Sequence, residues 1–125
     1  MTENEIGKIV VDSAIKVHKV LGPGLLESAY EACLVHKLKK RDLKVQSQIG
    51  LPIKYEGVIL DVGYRVDIFI EKKVMLELKA VEKLLPIHEA QLLSYLKLSA
   101  CKLGFLLNFN VYRMKDGIRR MVNGL

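Results

Sequence analysis

The chain has little of what marks a secreted, membrane-bound or thiolate-metal protein. Only two of its 125 residues are cysteine, Cys33 and Cys101, with no CxxC spacing and no Cys/His pairing. Both fall in apolar, helix-like contexts, which reads as buried free thiols in a reducing compartment. No apolar run approaches the roughly 20 residues that a membrane-crossing helix requires. The opening residues, MTENEIGKIVVDS, lack a basic stretch followed by an apolar one, so no leader peptide is expected. The expected location is therefore cytoplasmic. Repeats, low-complexity tracts and linkers are also missing, and the length suits one domain over residues 1–125 with a real core.

Half the residues are hydrophobic and 27% are charged, as in an ordinary folded protein. The formal charge of +6 suits a polyanionic partner, although it bears on association rather than on fold.

Periodicity orders the elements. Ile6, Ile9, Val10, Ala14, Val17, Val20 and Leu21 predict a helix from about Glu3 to Leu21. Gly22-Pro23-Gly24 stops it, and a second helix should run from Leu25 to about Lys40, its last turn rich in cations. Val45, Ile49, Leu51, Ile53 and Tyr55 then alternate with polar residues, and Val58 to Leu60 returns after Glu56-Gly57, which predicts a strand pair. Two more strands fall within residues 64 to 80. Pro86 opens a third helix over roughly 87–101, Phe105 to Phe109 reads as a buried strand, and an edge strand is expected around Asp116-Gly117. A parallel crossing around the third helix brings the chain back to the sheet.

The stretch YRVDIFIEKKVMLELKA carries carboxylates inside strands that otherwise read as core. With Glu71-Lys72-Lys73 as the loop, Val66/Leu78, Ile68/Leu76 and Ile70/Val74 pair on one apolar face. Asp67 then sits opposite Glu77, and Arg65 opposite Lys79. Like charges so placed are destabilising, and they require a cation between them or a raised pKa on one. Hard carboxylate oxygens suit Mg²⁺. The competing reading is a salt-bridge lattice, with Arg65 diagonal to Glu77 and Lys79 diagonal to Asp67. On the third helix His88, Gln91 and Tyr95 share one face. On the second, Gly24 as N-cap would put Glu27 at N3, where a carboxylate also suits the helix dipole, and Tyr30 lies one turn on.

Taken together, LGPGLLESAYEACL, YRVDIFIEKKVMLELKAVEK, HEAQLLSYLKL and LGFLLNF resemble the GxxExxY family, a small prokaryotic branch of the PD-(D/E)XK nuclease superfamily. The likeness runs from about His18 to Asn108. It implies a restriction-endonuclease-like αβββαβ core, a mixed α/β fold whose central sheet is flanked by helices, with one extra N-terminal helix. It also implies metal-dependent hydrolysis of nucleic-acid phosphodiester bonds, with DNA the first-choice substrate. By motif, Asp67 resembles the metal-binding Asp, Glu77 and Lys79 the E-x-K pair, Gln91 and Tyr95 the Q-x-x-x-Y helix, and Glu27 the carboxylate of the first core helix. Asp67, Glu77 and Glu27 would hold Mg²⁺ or Mn²⁺, joined by the backbone carbonyl of Leu78. Lys79 would orient the attacking water or stabilise phosphorane charge. His18, which matches a histidine common in the family before the glycine break, is an accessory candidate near Glu27, as are Tyr30, His88 and Arg65. One departure is Val66, where the family pattern has Pro. The alternatives are a nuclease-fold module that binds nucleic acid or a protein without cutting, and an assembly protein such as a homodimer whose charges form a lattice.

Overall fold

The computed structural model describes residues 1–61 and 64–125. Helix α1 (Glu3–Leu21) begins with a reciprocal cap. The Thr2 hydroxyl accepts the Glu5 N–H at 3.1 Å, and the Glu5 carboxylate accepts the Thr2 N–H at 2.8 Å. Its buried stripe is Ile6, Val10, Ala14 and Val17, while Val20 in the last turn is exposed. The helix stops at Gly22, whose φ of 68° lies in the left-handed region that glycine enters freely, and Gly24 follows with φ 98°.

Helix α2 (Glu27–Lys40) starts later than the periodicity suggests. Its N-cap is Leu26, not Gly24, so Glu27 occupies N1 rather than N3. Tyr30, Leu34 and Leu38 repeat every four residues and are buried. Cys33 lies off that stripe and is exposed, which corrects the expectation of two buried thiols; Cys101 is buried.

The strand region also departs from expectation. Instead of one strand from Val45 to Tyr55, β1 (Val45–Gly50) ends before Leu51-Pro52, and Pro52 has no N–H to extend a ladder. β2 (Ile53–Tyr55) and β3 (Val58–Leu60) form a separate two-stranded hairpin. Its turn residues, Glu56 and Gly57, both have positive φ, which matches the right-handed twist of the strands.

β4 (Arg65–Ile70) and β5 (Val74–Lys79) form the expected hairpin, with Ile70 opposite Val74 and Ile68 opposite Leu76. Helix α3 (Pro86–Leu98) ends short of residue 101 because the chain turns at Ala100, φ 57°. It carries β5 across to the parallel strand β6 (Leu103–Asn108), and a 3₁₀ turn leads to the edge strand β7 (Ile118–Val122). The main sheet has the order β1-β4-β5-β6-β7 and is antiparallel except between β5 and β6.

Two apolar clusters show the layering. One joins α1 and α2 to Ile68, Ile70, Val74, Leu76 and Leu78 and to alternate residues of β6. The other joins Leu92 and Leu96 of α3 to Val66, Phe69, Met75 and Leu106. Gly104 lets α3 approach the sheet closely, since a Cβ there would lie 3.2 Å from both Leu92 and Leu96. The result is a mixed sheet between helices, a restriction-endonuclease-like α/β fold.

Candidate active site

The site lies where β4 and β5 part. Residues of a strand alternate between faces, so Val66 should share a face with Ile68 and Ile70. It does not. Val66 packs in the α3 cluster with Phe69, whereas Ile68 and Ile70 pack toward α1 and α2. The single apolar face expected for Val66/Leu78 and the pairs after it therefore breaks at Asp67. The paired register ends at Ile68–Leu76, and the Leu78 N–H donates to Asp67 Oδ2 at 2.8 Å. A backbone donor that a continued ladder would use is taken by a carboxylate, which holds Asp67 beside β5.

Glu77 is the next residue back on β5, on the α3 side of the sheet with Met75. Its Oε1 accepts the Tyr64 hydroxyl at 2.7 Å, and the Tyr64 ring stacks on Tyr95 of α3 at 8° between planes. Burial first and the neighbouring Asp67 charge second push the Glu77 carboxyl up to about 7, against the pull of the Tyr64 hydrogen bond and the Lys79 ammonium. Burial, and then the Glu77 charge, likewise drive the Tyr64 phenol up. Lys79 completes the group from the same face of β5. Its backbone is held by the Phe109 N–H, which donates to the Lys79 carbonyl at 3.0 Å.

A third carboxylate enters from an unanticipated position. The Gln48 side-chain amide donates to Glu31 Oε1 at 2.7 Å and to Asp67 Oδ1 at 3.2 Å. Gln48 sits at φ 51°, sparsely populated for a residue with a side chain. Burial first, and also the charges of Asp67 and Glu27, raise the Glu31 carboxyl; the Gln48 bond opposes them. The α2 carboxylate tied to Asp67 is therefore Glu31, while Glu27 is exposed one turn before it. The i, i+4 spacing of Glu27 and Glu31 was the only sequence signal for Glu31. Nothing local marked Gln48 or Tyr64.

The other candidates lie elsewhere. Tyr30 is fully buried, donates its hydroxyl to the Gly22 carbonyl at 2.6 Å, accepts the Leu25 N–H and stacks on Phe109, so it builds the core and the α1–α2 loop. The buried His18 lies 2.6 Å from the Val111 carbonyl through Nε2, rather than meeting Glu27. His88 caps α3, its Nδ1 accepting the Leu85 N–H at 3.0 Å. Gln91 is exposed on α3. Arg65 donates to the Gln48 carbonyl at 3.1 Å, across the β1–β4 pairing. The ion pairs among the described residues are Lys16–Asp12, Arg41–Asp12 and Arg113–Asp116. None includes Arg65, Asp67, Glu77 or Lys79, so the salt-bridge lattice of the competing reading is not seen among the described residues.

A sequence model of the PD-(D/E)XK nuclease superfamily matches residues 4–121, nearly the whole chain. The chain belongs to that superfamily. No curated protein and no solved structure is matched.

PD-(D/E)XK nucleases typically use divalent metals. The donor chemistry around Asp67 and Glu77 fits such an ion: two hard carboxylates close enough to repel, both half-buried, and no salt bridge to either among the described residues. Among those residues no three His, Cys, Asp or Glu side chains converge on one metal position.

Proposed function

We propose that this chain is a Mg²⁺- or Mn²⁺-dependent phosphodiesterase of the GxxExxY branch, one nuclease domain over residues 1–125 that cuts nucleic acid, DNA in the first place, with little regard to base sequence. The observation that carries this reading is the Asp67–Glu77 pair at the parting of β4 and β5, with Lys79 two residues on from Glu77. Two carboxylates held together at a half-buried break in the sheet, one of them with its pKa raised, are what a cation between them would complete. The glycine loop before Glu27, tied down by Tyr30, supports the branch assignment.

Asp67 and Glu77 would hold the ion, with the Leu78 carbonyl as a further donor; Glu27, exposed and outside any converging carboxylate group among the described residues, would not reach it. When bound, the ion supplies Lewis-acid polarisation of the scissile phosphate and lowers the pKa of the attacking water. Lys79 orients that water and stabilises negative charge on the phosphoryl oxygens. Water oxygen bonds to phosphorus, the bond to the leaving sugar oxygen breaks, and a proton passes to that oxygen. Tyr95 acts through Tyr64, which keeps Glu77 in place. Gln91, exposed one turn before Tyr95, positions the phosphate.

Labelled single-stranded, duplex and branched DNA and RNA, incubated with Mg²⁺ or Mn²⁺, test the reading. Cleavage by the parent and its loss in Lys79→Ala are expected. Failure to cut any substrate with either metal overturns it. A module that grips nucleic acid without turnover is favoured only by the lack, among the described residues, of a third converging carboxylate. That module would bind, with affinity falling steeply with salt, and never cut.

A further inference from the structure

A cleft of about 470 Å³ opens beyond the C-terminal ends of β5 and β6, with Gly24, Glu82, Asn110 and Tyr112 in its walls. Its size is that of a small-ligand site. It is joined to the candidate site through backbone. Asn108 is paired with Lys79 in the parallel ladder. The buried Asn108 side chain donates to the Val81 carbonyl at 2.9 Å and accepts the N–H groups of Val81 at 3.1 Å and Asn110 at 3.2 Å. Glu82 therefore follows Lys79 by at most about 11 Å of extended chain. At the roughly 3.4 Å per nucleotide of a stacked strand that is about three nucleotide steps, and fewer for an extended one.

Tyr112 is 96% exposed and takes part in none of the ring contacts among the described residues. A large, flat ring so placed adds nothing to the core and offers a stacking surface. The cleft does not suit a phosphate, because its charged wall residue is the carboxylate of Glu82. Carboxylate and amide groups instead match the polar edge of a base, which presents amino donors and ring acceptors. Lys83 and Lys115, both exposed and close in sequence to Glu82 and Tyr112, are available to the flanking phosphates.

We propose that this cleft is a base subsite in which an unpaired nucleotide stacks on Tyr112 and turns its polar edge to Glu82 and Asn110, so that the chain takes single-stranded or locally opened nucleic acid. A base within a duplex is already stacked on both faces and paired along that edge, and it has nothing to offer the cleft. The proposal rests on the reading of the neighbouring site as one for nucleic acid.

The test measures binding without cleavage. Fluorescein-labelled single-stranded DNA and RNA oligonucleotides, and the blunt DNA duplex of the same sequence, are titrated by anisotropy into the Lys79→Ala chain with and without Mg²⁺. Adding Tyr112→Ala should weaken single-strand binding roughly 5- to 150-fold, the range for losing one stacked base, and leave duplex binding unchanged. Tyr112→Phe should restore it, and the melting temperature should not move. An unchanged single-strand affinity in Tyr112→Ala, an equal loss for duplex, or no binding to any oligonucleotide overturns the proposal. Tyr112-dependent single-strand binding by a chain whose parent never cuts would sink the nuclease reading and leave the subsite standing. Cleavage by the parent with Tyr112-independent binding would do the reverse.

Discussion

The Tyr64 hydroxyl donates to Glu77 Oε1 at 2.7 Å, joining residues 13 apart in the chain across the open end of the β4–β5 hairpin. Because the same ring stacks on Tyr95, α3 is coupled to the carboxylate through an intermediary rather than by direct contact. Removing the hydroxyl in Tyr64→Phe takes away an interaction that lowers the Glu77 pKa, so that carboxyl should titrate still higher. A loss of about 1–3 kcal/mol is expected at pH 8, where Glu77 is charged, and less at pH 5. Carboxyl NMR titration and urea unfolding at the two pH values check both parts.

Glu77→Gln keeps the shape, retains an acceptor for Tyr64 and removes one of two repelling charges. The metal-free variant should be as stable as the parent or slightly more so, while Mg²⁺ binding and cleavage disappear. Lys79→Ala should keep the metal and lose turnover. Calorimetric titration and thermal melts with and without Mg²⁺ check this pair. A destabilised Glu77→Gln from a parent that ignores Mg²⁺ would falsify the metal role.

Stability should depend on pH through Glu77. Its folded pKa is raised to about 7 from an ordinary 4.5, so between those values the folded state binds more protons than the unfolded chain. Stability therefore falls as pH rises through that window, by on the order of 3 kcal/mol, and levels off above it. Glu31, also raised, contributes with the same sign. Urea unfolding of the metal-free protein from pH 5 to 8 should show the slope, and Glu77→Gln should flatten most of it. The opposite slope in the parent would contradict the arrangement.

Tyr30→Phe tests whether that tyrosine belongs to the scaffold. It leaves the stack on Phe109 and removes the hydroxyl shared by Gly22 and Leu25. A loss of about 1–2 kcal/mol is expected, with the Mg²⁺-dependent shift in melting temperature unchanged. A lost metal response at unchanged stability would place Tyr30 in the site instead.

What the sequence determined by itself was local. The helical stripe from Ile6 to Val17, the Gly22-Pro23-Gly24 stop, the Glu56-Gly57 turn and the Ile70/Val74 hairpin register all depend on residues within a few positions of each other, where period and turn chemistry act directly. The family motifs could be read for the same reason, since Asp67, Glu77 and Lys79 lie on one hairpin. The tertiary structure decided which strand β1 joins, why Val66 leaves the face of Ile68, and which side chains surround the carboxylates. Glu31, Gln48 and Tyr64 arrive from α2, β1 and the chain just before β4, and no local periodicity distinguishes them from surface residues. Tyr30 and His18 look like site residues by spacing, yet partners at Gly22, Phe109 and Val111 turn them inward. The physical reason is the same throughout: these polar side chains take partners from segments far away in the chain, and which partner each finds is known only once those segments pack.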